Sequence, residues 1–111
     1  MAILISGRIK LPKEDVEKAL KGANEYILDA RTEPGCVSYN WSADLNEEGV
    51  IYVFEEWATP DDLEQHFTAP SYINMLNYLG QFELQEVVTT KHQVTKQAAV
   101  YGESGPTSSF D

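Results

Sequence analysis

Cysteine is nearly absent from this chain: Cys36 is the one thiol in 111 residues, so no internal disulfide can close. An isolated cysteine in such a chain reads as a buried, inert thiol. Histidine is scarce too, and His66 and His92, taken with Cys36, match no zinc-ligand spacing, so no metal site is expected. Basic residues are few: eight Lys and Arg stand against 18 Asp and Glu, a formal charge of −10. That balance repels phosphate backbones, and no basic patch with interleaved aromatics offsets it, which excludes nucleic acid as an expected partner. No apolar run is long enough to cross a bilayer, and the N-terminus lacks the basic-then-apolar layout of a signal peptide. The expectation is a cytoplasmic protein with no membrane partner.

What is present is the patterning of one small domain. Ile3 to Leu11 reads as a strand interrupted by Gly7, and Pro12 ends it at a position suited to a helix start. Between Lys13 and Ala30, Val16, Leu20, Ala23, Ile27 and Ala30 recur in steps of four and three and draw one apolar helical stripe. Glu33-Pro34-Gly35 ends that helix. "CVSYNWSA" alternates, with Val37, Tyr39 and Trp41 on one face, and "VIYVFEEW" follows across a polar loop, so the two predict an antiparallel hairpin. Thr59 is suited to cap a helix, Pro60 to its first position, and Asp61 and Asp62 to the positive end of its dipole. Leu63 and Phe67 anchor that helix, and Ala69-Pro70 breaks it. A second short helix runs from Ser71 with Tyr72, Met75, Leu76 and Leu79 as its stripe, and Gly80 ends it. A last strand covers Phe82 to Thr95. Residues 1–97 form the domain, and 98–111 have the composition of a flexible tail.

The order strand, helix, strand, strand, helix pair, strand is the split βαβ arrangement of a ferredoxin-like α+β domain with an antiparallel sheet. Its helices cover one sheet face. The third strand is apolar on both: Val50, Tyr52 and Phe54 on one, Ile51, Val53 and Trp57 on the other. An apolar patch of that size is seldom left in water. A homodimer joined through the uncovered faces is therefore expected.

Three local patterns carry a resemblance: Glu33-Pro34-Gly35-Cys36 opening a strand, Glu55-Glu56-Trp57 closing the next, and Leu63-x-x-His66 on a helix followed by a short one. Together they resemble the antibiotic biosynthesis monooxygenase superfamily, with similarity from Ile3 to about Thr95 and strongest between Glu33 and Leu76. The resemblance implies a dimeric α+β barrel of two four-stranded sheets and a pocket between sheet and helices in each subunit. It implies oxidation of a small aromatic, quinol or anthrone-like substrate by dioxygen, with no metal, flavin or other cofactor. A base removes an acidic proton, the electron-rich anion passes an electron to dioxygen, and the radicals recombine. The protein supplies a water-poor pocket, a proton acceptor and a hydrogen-bond donor.

The residues for these roles follow from the same match. Trp57 is expected to wall the pocket and offer its indole N–H to a substrate oxygen, or simply to seal the strand against a helix. His66 is the expected base, because an unperturbed imidazole titrates near pH ~6.5; the competing reading is a histidine at the edge of the apolar stripe. Phe67, Tyr72, Met75 and Leu79 complete the expected substrate wall, although each also suits plain packing. Arg8 is expected to pair with surface acids, and His92 carries no assigned role. Haem degradation, known in a related branch, is disfavoured because its first-strand asparagine falls near Gly7 and its helical histidine near Met75 or Leu76. A non-oxidative binder, isomerase or cyclase on the same barrel remains the alternative.

Overall fold

The computed structural model describes Met1–Asp111 and contains a four-stranded antiparallel sheet covered on one face by helices. Strand β1 spans Ile3–Lys10, and a 3-10 turn at Lys13–Asp15 leads into α1, Val16–Ala30. Strands β2 (Cys36–Ala43) and β3 (Val50–Trp57) form the hairpin; α2 (Pro60–His66) and α3 (Pro70–Leu79) follow, and β4 is Glu86–Gln93. The spatial order β2-β3-β1-β4 is that of the ferredoxin-like split βαβ domain.

Local chemistry accounts for these boundaries. The Thr59 hydroxyl accepts the Asp62 N–H at 3.1 Å, so α2 begins with a side-chain cap, a proline and two acids in its first turn. Proline also opens α3, one residue earlier than the pattern around Ser71 predicts. Helix α1 buries Ala19, Ala23, Ile27 and Ala30. The small alanines keep it close to the sheet, and Ile27 packs in a core with Ile3, Trp57, Leu63 and Met75.

Two sequence expectations change. Strand β2 does not alternate cleanly: its pairing to β3 shifts between Cys36 and Ser38, a bulge that leaves Val37 60% exposed. Tyr39 and Trp41 still face the helices, but Val37 does not join them. Strand β4 is shorter than Phe82 to Thr95, because Phe82 packs edge-on against Tyr78 (5.3 Å between ring centres) instead of entering the ladder. Residues beyond β4 fold back as a short hairpin, Tyr101–Gly102 (β5) with Gly105–Pro106 (β6). Phe110 then shares a shallow hollow with Leu4 and Phe54 on the sheet face away from the helices.

That face keeps Tyr52 and Phe54 about 40% exposed (40% and 44%), with Val88 at 54%. It also carries the Arg8 cluster, where the guanidinium meets Glu47 at 2.6 Å and Glu86 at 3.1 Å, the pairing expected for this residue. No helix is long and apolar enough to cross a membrane.

Candidate active site

Strand register lays out the floor of a cavity. Tyr39 of β2 pairs with Glu55 of β3, Glu55 with Ile5 of β1, and Ile5 with Lys91 of β4, so these four form one row across the sheet on the helix side. The next row is Trp41, Val53, Gly7 and Thr89. Gly7 has a physical reason to lack a side chain: a Cβ there would sit 3.2 Å from the Val53 Cβ, so the glycine leaves the middle of the floor low. Above the floor, Leu63, His66 and Phe67 of the α2 segment and Tyr72, Met75 and Leu79 of α3 form the roof. The cavity volume is about 540 Å³, and 13 of its 18 lining residues are hydrophobic. Size and lining suit a small aromatic ligand.

His66 is 2% exposed and held on both faces. Its ring stacks on Trp57 with centres 4.5 Å apart, and Tyr39 and Tyr72 meet it edge-on at 5.7 and 5.5 Å. Its Nδ1 lies 2.7 Å from Glu33 Oε1, and the other Glu33 oxygen accepts a short hydrogen bond from the Ser71 hydroxyl. A carboxylate can only accept, so Nδ1 donates to Glu33, and in the neutral imidazole Nε2 is the nitrogen with the lone pair. Nε2 makes no hydrogen bond within the chain, and His66 is one of the residues lining the cavity. The group is built as a base should be: an imidazole with one nitrogen oriented by a carboxylate and the other free.

Glu33 owes its position to the turn before β2. Its amide donates to the Ala30 carbonyl and its carbonyl accepts from Cys36, both at 3.1 Å. Gly35 follows at φ +78°, where a Cβ would lie 2.1 Å from the Asp62 carboxyl, so the turn requires glycine twice over. The Cys36 thiol in the same turn is half-buried; burial, with Glu33 and Glu55 nearby, pushes its pKa up, which keeps it in the unreactive thiol form.

Of the two positions expected for Trp57, it takes the sealing one and not the pocket wall. It is fully buried, and its indole N–H donates to Glu55 Oε1 at 2.9 Å, so the ring supports His66 from behind and does not line the cavity. Phe67, Tyr72, Met75 and Leu79 do line it. Residue patterns alone passed over Glu33, Glu55, Tyr39 and Ser71. Glu55 is the most informative of these: it is 8% exposed, on the cavity floor, with its pKa raised chiefly by burial and lowered in part by the Trp57 N–H and by His66. Burial also pushes the Tyr39 hydroxyl up, with Glu55 adding to the effect, so Tyr39 stays a neutral hydrogen-bonding group.

Glu55 gives a stability test with a definite sign. Its folded-state pKa is raised, so folding binds the proton, and its contribution is fully present at low pH and lost as pH rises through the folded value. Glu55→Gln keeps an oxygen for the Trp57 N–H but cannot ionise. In urea unfolding from pH 4 upward, the variant will gain on wild type as pH rises; a constant difference would remove Glu55 as the ionising group.

No group of three or more His, Cys, Asp or Glu side chains lies together in a way that would hold a metal ion. A model of the antibiotic biosynthesis monooxygenase family matches residues 2–77. An uncharacterised protein of Synechocystis is 31% identical over 70 residues, 63% of this chain and 48% of that protein, so the match spans about half the relative's length. A solved structure from Deinococcus radiodurans, described as a candidate antibiotic biosynthesis monooxygenase, superposes with a TM-score of 0.81 at 18% identity, covering 90% of this chain and 99% of that one. Protein Rv0793 of Mycobacterium tuberculosis superposes at 0.75 with 24% identity, covering 89% and 100%. At these identities the two structures establish the shared fold.

Proposed function

Because the chain belongs to the antibiotic biosynthesis monooxygenase family, we propose that its cavity oxidises a small phenolic aromatic, a quinol or anthrone-like molecule, with dioxygen. The observation that carries this reading is His66 in the wall of an apolar cavity, with Nδ1 held by Glu33 and Nε2 without a hydrogen-bond partner in the chain. His66 takes the acidic proton of the bound substrate. The anion passes one electron to dioxygen, and superoxide and the substrate radical join to a hydroperoxide. Loss of water converts a ring CH₂ to a carbonyl: one oxygen atom stays in the product, the other leaves as water, and the substrate supplies all four electrons. Since the substrate is the reductant, this chemistry requires no metal or flavin.

The apolar lining favours electron transfer from an anion desolvated on binding. Tyr39 and Tyr72 bring hydroxyl groups to the cavity wall, where they can donate to the developing charge. The half-exposed Tyr52 and Phe54 support a homodimer joined through the open sheet face, giving the dimeric barrel. A monomer in sedimentation at micromolar concentration would rule that assembly out. A cytoplasmic setting suits the lone unpaired thiol.

Glu55 favours a second reading. A buried carboxyl and an imidazole on one cavity are the pair a proton-shifting isomerase or cyclase needs, one group to remove the proton and one to return it. Oxygen separates the two. Turnover of hydroquinones or anthrones that stops under nitrogen and needs no added metal or flavin supports the oxygenase. Isomerisation or cyclisation that continues without oxygen supports the alternative, and saturable binding with no turnover makes the protein a carrier.

A further inference from the structure

Lys91 is out of keeping with the rest of the chain's charge. The molecule carries 18 acids, and five of its eight basic side chains are in ion pairs: Arg8, Lys10, Lys13, Lys21 and Lys96. Arg31 is bound to the Tyr39 carbonyl and Asn40, and Lys18 lies over the Phe82 ring at 6.0 Å. Lys91 alone is left without an acid, a hydrogen bond or an aromatic face, and it is the one cation lining the cavity.

Its position is set by register. Lys91 shares the floor row with Glu55, but Ile5 stands between them, so the two strand steps place their backbones about 10 Å apart and they form no ion pair. Thr89, one side chain earlier on the same face of β4, puts a hydroxyl beside the central dip at Gly7; its Oγ1 would lie 3.8 Å from a Cβ there. The cavity thus has an acid–base end at His66 and Glu55, an apolar middle, and a donor end at Lys91 and Thr89.

We propose that this donor end is an anion subsite, and that the ligand is an aromatic acid. Its phenolic or enolic oxygen faces His66, its flat apolar body lies over Ile5 and Gly7, and its carboxylate meets Lys91. The inference rests on the reading of the cavity as an aromatic site. Lys91 selects the ligand and takes no part in the proton transfer. An edge-strand lysine also discourages pairing with other strands, but that role is indifferent to the charge of a ligand. Because the chain as a whole is strongly acidic, an anion approaches against the general field and requires this local cation.

Two probes of similar shape, titrated calorimetrically into the full chain under nitrogen, test the subsite: 6-hydroxy-2-naphthoate, whose hydroxyl and carboxylate lie at opposite ends of the ring system, and 2-naphthol. Wild type will bind the acid about tenfold more tightly than the naphthol, as a charge-assisted bond at a half-enclosed site allows. Lys91→Gln will reduce that ratio to one or below and leave naphthol affinity unchanged, and Lys91→Arg will keep the preference. The position is exposed on an edge strand, and an unchanged thermal melt will show that the variants fold. Equal binding of both probes by wild type, or a preference that survives Lys91→Gln, overturns the anion subsite and leaves the aromatic site standing. If neither probe binds, the aromatic site fails and the subsite with it. Turnover does not enter, so loss of the oxygenase reading is registered separately in the oxygen assay.

Discussion

His66→Gln will lower oxygen-dependent turnover of a quinol or anthrone substrate by about 10²- to 10⁴-fold while leaving ligand affinity within a few-fold. The size follows from what a positioned base supplies. Glutamine fills much the same space but offers no lone-pair nitrogen that can hold a proton. Glu33 sharpens the test. Glu33→Gln can present an N–H to Nδ1, which permits the tautomer with the proton on Nε2, facing the substrate with the wrong group. Its loss will therefore fall in the same range, although Glu33 does not itself line the cavity. Substrate affinity separates this from general damage: kcat will fall with KM little changed in both variants. Unchanged oxygen uptake in His66→Gln would mean that the proton goes elsewhere, and Glu55 is the next acceptor on the cavity wall.

Most of the scaffold is legible in the residue pattern, because it depends on short-range rules. Thr59-Pro60 starts α2, the apolar steps of α1 face the sheet, and the order of elements leaves few topologies open. The bulge at Cys36–Ser38 is not legible, since one extra residue in an alternating strand changes no composition and depends on how β3 lies beside it. Glu33 is hidden for a related reason. It reads as a turn residue, and its partners His66 and Ser71 are 33 and 38 residues away. Glu55 is legible in part. Ile51, Val53, Glu55 and Trp57 alternate on the inward face of β3, and an acid in that series signals a buried carboxyl; the adjacent Glu56 makes the pair look like a solvated strand end. The candidate site residues hidden from the pattern are those that break it, as expected where a site departs from the rules that build the core.

Trp57→Ala will cost about 3–5 kcal/mol of folding stability, a large part of the ~5–15 kcal/mol typical of a single domain. The ring is fully buried beneath His66, so its removal opens a void under the imidazole and leaves the Glu55 carboxyl without its N–H donor. Such a variant reports on packing and chemistry together. Trp57→Phe divides them: it keeps most of the ring contact and loses the hydrogen bond. That bond holds the Glu55 pKa down against burial, so without it the value rises further. With a higher folded-state pKa, the protonated carboxyl is more strongly favoured by the fold, and the stability it supplies at low pH is lost as pH rises through that higher value. The gap between wild type and Trp57→Phe in urea unfolding will therefore be small at pH 4 and widen toward pH 8. In the Glu55→Gln background the same replacement will show a gap independent of pH, since no carboxyl remains to titrate. A double-mutant cycle at the two pH values isolates this coupling. If the cycle returns the same interaction energy at both, the Trp57 N–H is not what holds Glu55, and the tryptophan serves the site only as the surface on which His66 rests.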